Sequence, residues 1–374
     1  MIPVFEPEIG EEEIGAVVAA LRRGEISGTY GQALTDFEEQ FAAYCGVKYG
    51  VAVTSGTTAL HLAVAAAEIG AGDEVLVSAS TNIASALAAH HNGALTVPVD
   101  SERETWNMNL DLLEGLITSK TKAIIPVHLF GHPVDMGRLM DIARKHDLVV
   151  IEDAAEAHGA EVRGRKVGSF GDMACFSFYA NKIITTGEGG MVVTNSEKLA
   201  ERLRLLRNLA FEKPRFWHRE AGYNFRMTSY QAAMGVAQLA KIEQILAEKR
   251  RIARVYSDYL KDVAWLQLPA EKEWAKNVFW MYAVVVKRES GMNREVVIKH
   301  LAEVGVDTRT LFCPMNQQPC LRRHADWREV ACPVADELWE MGFYLPSSVN
   351  LSNEKIKLIC DLLVGVGQAV VAKV

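Results

Sequence analysis

The feature that most constrains this chain is a repeated change of hydrophobic period. Seven short apolar, β-branched runs read as strands: "YGVAVTS" (49–55), "DEVLVSA" (73–79), "ALTVPVD" (94–100), "KAIIPVH" (122–128), "DLVVIED" (147–153), "ACFSFYA" (174–180) and "GGMVVTN" (189–195). Between several of them stand segments with helical spacing, "TTALHLAVAAAE" (57–68), "TNIASALAAHHN" (81–92) and "DMGRLMDIARKH" (135–146). Strands that are apolar on both faces need cover on both, so the pattern predicts an α/β fold with a mostly parallel sheet between helical layers. Such sheets take ligands at the carboxyl ends of their strands.

Beyond residue 227 the pattern changes. "TSYQAAMGVAQLAKIEQILAEKRRIARVYSDYL" (228–260) reads as one long helix, opened by a capping box of Thr228 with Gln231. "FWMYAVVV" (279–286), "REVVIKHLAEVG" (294–305), "GVDTRTLF" (305–312) and a last helix near 353–372 suggest a small α+β domain. We place a large domain at 1–250 and a small C-terminal one at 251–374, which 374 residues can supply with a core each. A net charge of −7 without a dense Lys/Arg run excludes a nucleic-acid footprint. No window reaches the length of a membrane span, and the N-terminus has no basic region followed by an apolar run, so a cytoplasmic protein without a membrane partner is expected. The six cysteines lie far apart, as reduced thiols do, and no metal site is expected; Cys175 reads as core filler.

Three positions carry chemistry. "TSGTTALHLAV" (54–64) leaves a strand, turns on Gly56 and enters a helix through Thr57 and Thr58, where backbone N–H groups and hydroxyls would form a phosphate cup. Alone, the same residues are an ordinary N-cap. Asp153 ends an apolar strand and needs a cationic partner, either an arginine or the ring nitrogen of a cofactor, with Glu156 one turn on. Lys182 follows Ser177 and precedes the glycine-rich reversal "TTGEGGM". It is either a surface lysine in a turn or an amine desolvated among Phe176, Phe178, Tyr179 and Ile183, and so able to attack a carbonyl. Pyridoxal phosphate satisfies all three at once: phosphate to Thr57 and Ser177, pyridine nitrogen to Asp153, aldehyde to Lys182.

At this point the sequence resembles the DegT/StrS-type sugar aminotransferases, with the type I fold of pyridoxal-phosphate-dependent transferases (aspartate aminotransferase-like). The resemblance runs over nearly the whole chain, through "GTTALHLAV", "IEDAAEAHGA", "SFYANKIITTGEGGMVVTN" and "NFRMTSYQAAMGVAQL". It implies that Lys182 tethers the cofactor, Asp153 pairs with its ring nitrogen, Glu156 lies near its ring hydroxyl, and Gly56, Thr57 and Ser177 hold its phosphate. It also implies that Asn224 reaches the phosphate of the neighbouring subunit, making a homodimer with shared sites, whereas the residues alone make Asn224 a turn before a helix. The chain departs from the family in three places: Asn82 stands where relatives stack an aromatic ring on the cofactor, Gly28-Thr29-Tyr30-Gly31 replaces Ser-Ser-x-Gly, and Asn316 ends Pro314-Met315-Asn316 in place of His.

The expected reaction moves an amino group from L-glutamate to a nucleotide-linked ketosugar of the GDP-4-keto-6-deoxymannose type. Lys182 is the catalytic residue; Thr29, Arg226 and Asn316 are assigned to the substrate, with a structural ion pair as the other role open to Arg226. His158 is the histidine assigned to support the site, ahead of His128 and His132. "KPRFWHRE" (213–220) reads as a solvated loop or as a nucleotide cover through Arg215 or Trp217. Two other classes remain: a ketosugar dehydratase, which would carry His in place of Lys182, and a non-catalytic regulator, which would need a fused DNA-binding module.

Overall fold

A computed structural model describes residues 1–214, 216–324 and 327–371. Its centre is a seven-stranded sheet in the order 49–53, 190–194, 173–177, 149–153, 121–125, 74–78, 95–99. The five strands from Met173–Ser177 to Leu95–Val99 pair in parallel. Gly190–Thr194 alone runs the other way, antiparallel to both of its neighbours. The cause is the connection: residues 178–189 contain no helix, and a parallel crossover needs one or its equivalent in length. The chain therefore turns back on itself, and Lys182 sits in that reversal.

Side chains alternate between the two faces with the period of a strand. Val75, Val77, Ile125, Ile151 and Val192 enter one core with Leu60, Ala63 and Leu203 of the helices Gly56–Ala66 and Glu197–Arg207. Leu76, Ile124, Val150, Ala174 and Val193 enter the other, with Phe37, Phe41 and Leu139. Strands 74–78, 173–177 and 190–194 are buried throughout, which is why their sequences read as unbroken apolar runs. Each fully buried Val or Leu contributes about 1.5–3 kcal/mol.

A third core holds buried residues from Ile252 to Val366 only. It lies against an antiparallel sheet in the order 266–267, 282–286, 342–345, 309–310. The extreme N-terminus joins this part of the chain: Ile2 bridges Val306, and Ser347 N donates to the carbonyl of Val4. The expected single helix 228–260 is two, Ser229–Ala240 and Ile242–Leu260, broken at Lys241 (φ −107°, ψ 9°). Lys241 there pairs with the buried Glu13 at 2.8 Å. The break serves two neighbours, since the first helix packs on Glu11–Arg22 and Ala33–Cys45 and the second on Asn353–Val371. The Thr228–Gln231 capping box is present. Among the described residues no helix is long and apolar enough to cross a membrane, and no cluster of His, Cys, Asp and Glu is arranged to hold a metal.

Candidate active site

A cavity of about 330 Å³ opens at the carboxyl ends of the parallel strands. Gly56, Thr57, Asn82, Asp153, Glu156, Ser177 and Lys182 all line it. Its floor is set by a close approach. A Cβ on Gly56 would stand 2.7 Å from Ser177 Cβ, and one on Gly190 would stand 2.3 Å from the carbonyl of Ser55. Only glycines let strand 173–177 and its returning neighbour meet the first turn of helix Gly56–Ala66, so the Ser177 hydroxyl lies against that N-terminus, where the helix carries its partial positive charge. Ser55 caps the helix by accepting from Thr58 N at 3.1 Å.

Asp153 ends strand 149–153 and is 4% exposed. Its Oδ2 accepts from Ser85 Oγ at 2.6 Å and its Oδ1 from Ala155 N at 3.1 Å. Burial raises its carboxyl pKa, while those hydrogen bonds and the charge of Lys182 oppose the rise. Among the described residues no arginine or lysine forms an ion pair with it. A carboxyl that is buried, held by two donors and unpaired fits a cationic ring nitrogen brought by a ligand.

Glu156 accepts from Phe130 N at 2.9 Å, and its other oxygen stands 3.8 Å from Lys182 Nζ. Burial pushes its carboxyl up to about 7, against the pull of Lys182. Phe130 has a left-handed backbone (φ 51°, ψ 20°), a conformation that costs a residue with a Cβ roughly 1–2 kcal/mol. Packing holds it there. Its ring stacks with Phe312 at 5.7 Å and with Trp280 at 6.4 Å. The turn is also anchored by His128, whose Nδ1 accepts from Val134 N, leaving Nε2–H to donate to Glu152 at 3.1 Å. Glu152 in turn accepts from the N–H groups of Gly168, Phe170 and Gly171, and is fully buried.

Lys182 has a side chain 12% exposed. Burial lowers its pKa, while Glu156 and Asp153 raise it. The aromatic surface it meets is not the one expected from its neighbours in sequence. Phe176 and Phe178 turn into the core against Phe41, and Tyr179 is half exposed. The amine instead lies 3.7 Å from the centre of the Trp280 ring.

Not every expected residue reaches the cavity. The Thr58 hydroxyl is taken up by the cap, bonding the backbone N and carbonyl of Ser55. Asn82 does reach it, with its side-chain oxygen turned to Ala84 N at 3.0 Å. Thr29 is exposed and bonds Ser27. Asn224 is exposed and pairs its backbone with Asn208. Arg226 donates to Asn208 Oδ1 at 2.7 Å and forms no ion pair among the described residues. Asn316 donates to Asp336 at 3.1 Å. None of these four lines the cavity of its own chain. His158 is buried among Phe41, Phe176 and Phe178, and burial drives its pKa down to about 3, so it stays neutral. Trp217 is exposed and off the cavity; Arg215 lies outside the described residues. Sequence reading missed Trp280, Phe312 and Tyr344, which come from the C-terminal third and complete the wall.

Comparison with known proteins decides the family. The model of the DegT/DnrJ/EryC1/StrS aminotransferase family matches residues 7–364. The chain belongs to this family. It is 45% identical to GDP-perosamine synthase of Caulobacter vibrioides, over 97% of each chain. It is 40% identical to GDP-perosamine synthase of Escherichia coli O157:H7, over 96% of this chain and 97% of that one. A Streptococcus pneumoniae structure described as a sugar aminotransferase, in its PLP form, superposes with a TM-score of 0.92 at 29% identity, covering 99% of both chains. The type I transferase fold, the aminotransferase activity and the use of pyridoxal phosphate follow. The site fits that cofactor. The Gly56–Ser177 cradle suits a phosphate, Asp153 suits the ring nitrogen, and the Lys182 amine suits the aldehyde.

Proposed function

We propose that this aminotransferase moves an amino group from L-glutamate to a nucleotide-linked ketosugar of the GDP-4-keto-6-deoxymannose type. The product would be an aminosugar for a cell-surface polysaccharide, such as a lipopolysaccharide O-antigen, or for a glycosylated metabolite. The observation that carries the reading is one cavity joining Lys182, Glu156, Asp153 and the Gly56–Ser177 cradle, in a chain that matches two GDP-perosamine synthases almost end to end.

Bound pyridoxal phosphate supplies a ring that accepts electrons from a carbanion at the carbon bearing nitrogen. The chain supplies the rest. Asp153, fixed by Ser85 and Ala155, would hold a proton on the ring nitrogen; raising that nitrogen's pKa by ~2 units requires roughly 3 kcal/mol, which a close opposite charge would provide. Lys182 would tether the aldehyde and, as a free amine, would carry a proton on Nζ to and from the reacting carbon. Glu156 stands beside that amine and receives it while charged.

Asn224 and Arg226 are assigned to a partner subunit's site in a cytoplasmic homodimer, which accounts for their position outside the cavity of their own chain. Thr29 and Asn316 are assigned to the sugar side of the pocket.

The test is spectroscopic and chemical. Protein loaded with pyridoxal phosphate should lose its aldehyde-derived absorbance on addition of L-glutamate and release 2-oxoglutarate. GDP-, dTDP- and UDP-linked ketosugars then compete to restore the spectrum, and the GDP sugar should do so at the highest kcat/KM. A spectrum indifferent to glutamate and to every other amino donor would sink the reading.

A further inference from the structure

We infer that Trp280 is a positioning residue for Lys182: its indole face holds the lysine ammonium, and so fixes where the amine and its proton rest when the amine is not engaged. The inference rests on the reading of Lys182 given above and adds a residue from the far end of the chain. Lys182 Nζ stands 3.7 Å from the ring centre, and Trp280 is 3% exposed. A cation this close to the face of a buried indole makes a cation–π contact.

The ring cannot turn away. Its Nε1–H donates to the carbonyl of Asn181 at 2.6 Å, which ties the indole to the residue just before Lys182. Its backbone N donates to the carbonyl of Phe130 at 3.1 Å, and its ring lies within 12° of parallel to that of Phe130. Phe130 is also the residue whose N–H holds Glu156. One strained residue therefore fixes two of the groups that face the amine, the carboxyl at 3.8 Å and the indole at 3.7 Å, while the Asp153 carboxyl, held by Ser85 and Ala155, is the third. The two act differently. A carboxylate attracts the ammonium strongly but takes its proton when it titrates, whereas an indole face attracts the charge and accepts no proton. Trp280 thus favours the charged form of the lysine and its position, against the effect of burial, without competing for the proton that must be delivered.

The test uses the cofactor-free full-length protein, so it does not depend on the sugar substrate being assigned correctly. Trace acylation with acetic anhydride across pH, read by peptide mass spectrometry, gives the protonation midpoint of Lys182 in wild type, in Trp280→Phe, and in wild type grown with difluorotryptophan. Fluorination weakens the ring's attraction for a cation with little change of shape, so no new water is admitted. The neutral fraction of Lys182 at fixed pH should rise roughly threefold to tenfold with the fluorinated ring, and less in Trp280→Phe, which keeps an aromatic face. Lys249 is the internal control, because the ring beside it is Phe5 and should leave its midpoint unchanged. A Lys182 midpoint unmoved by fluorination, or moved towards the charged form, would overturn the inference and leave Trp280 as packing. Loss of glutamate-dependent chemistry with the midpoint shift intact would count against the proposed reaction and not against Trp280.

Discussion

Lys182 and Lys249 are both lysines largely withdrawn from solvent, and the contrast between their surroundings separates chemistry from packing. Lys182 faces a cavity, with Glu156, Asp153 and the Trp280 ring around it. Lys249 lies on helix Ile242–Leu260, is 2% exposed, and gives a hydrogen bond to the carbonyl of Ser347 at 2.5 Å, with Phe5 5.6 Å away. Among the described residues it has no acidic partner, and burial alone drives its pKa down to about 7. A lowered lysine pKa is therefore no signature of function in this molecule. What distinguishes Lys182 is that groups of opposite charge and a space for a ligand converge on it.

The largest expected effect tests that distinction directly. Lys182→Ala should lower the glutamate half-reaction by at least about 10³-fold, because the variant loses both the tether and the proton carrier. Lys249→Met should leave the rate within a factor of about two, since Lys249 does not line the cavity. Equal losses in the two variants would erase the contrast. Next in size, Asp153→Asn keeps the shape of the side chain and removes its charge, and kcat should fall by roughly 10²-fold, the ~3 kcal/mol assigned to holding the ring cationic. Its thermal midpoint should stay close to wild type, and a rate equal to wild type would show that Asp153 is only a structural acceptor for Ser85.

These residues were legible in the sequence for a local reason. Asp153 and Ser177 end strands, and Gly56 and Lys182 stand three and five residues beyond one, where an apolar run has stopped and polar residues or glycine follow, so period and punctuation locate them. Trp280, Phe312 and Tyr344 carry no such mark. "FWMYAVVV" reads as the start of a strand, and nothing in it says that Trp280 crosses to a lysine 98 positions earlier, because that contact is made where Trp280 joins the core of the large sheet beside Phe130. Lys249 was hidden in the same way, because the groups it meets, Phe5 and the carbonyl of Ser347, come from the two ends of the chain. The break at Lys241 was invisible for want of Gly or Pro; the buried Glu13 pairing with Lys241 accompanies it.

The third prediction returns to Lys249 as a matter of stability. Its folded pKa, about 7, lies below the ordinary 10.5, so the folded state carries the full cost of a buried ammonium below pH 7 and sheds it as pH rises towards 10.5. Lys249→Met should therefore be more stable than wild type by on the order of 2 kcal/mol at pH 6, with the gap closing towards pH 10. Urea denaturation across pH measures it, and a gap independent of pH would mean that the amine stays charged and hydrated in the folded state, its pKa not lowered.

The smallest effect concerns Glu156, and its pH dependence runs the other way. Its folded pKa, about 7, lies above the ordinary 4.5, so the contribution of its neutral form to stability is complete below pH 4.5 and is lost as pH rises through 7. In cofactor-free protein the stability gap between Glu156→Gln and wild type should grow in the variant's favour by on the order of 1 kcal/mol between pH 5 and 8, the pull of Lys182 being already contained in the folded pKa. Glutamine keeps an oxygen to accept from Phe130 N, so the left-handed turn should survive. In the double variant Glu156→Gln with Lys182→Met, the residual pH dependence should resemble that of the Glu156→Gln single variant. If Lys182→Met alone abolishes the slope, the titration belongs to the lysine, and the carboxyl beside it is ionised across the whole range.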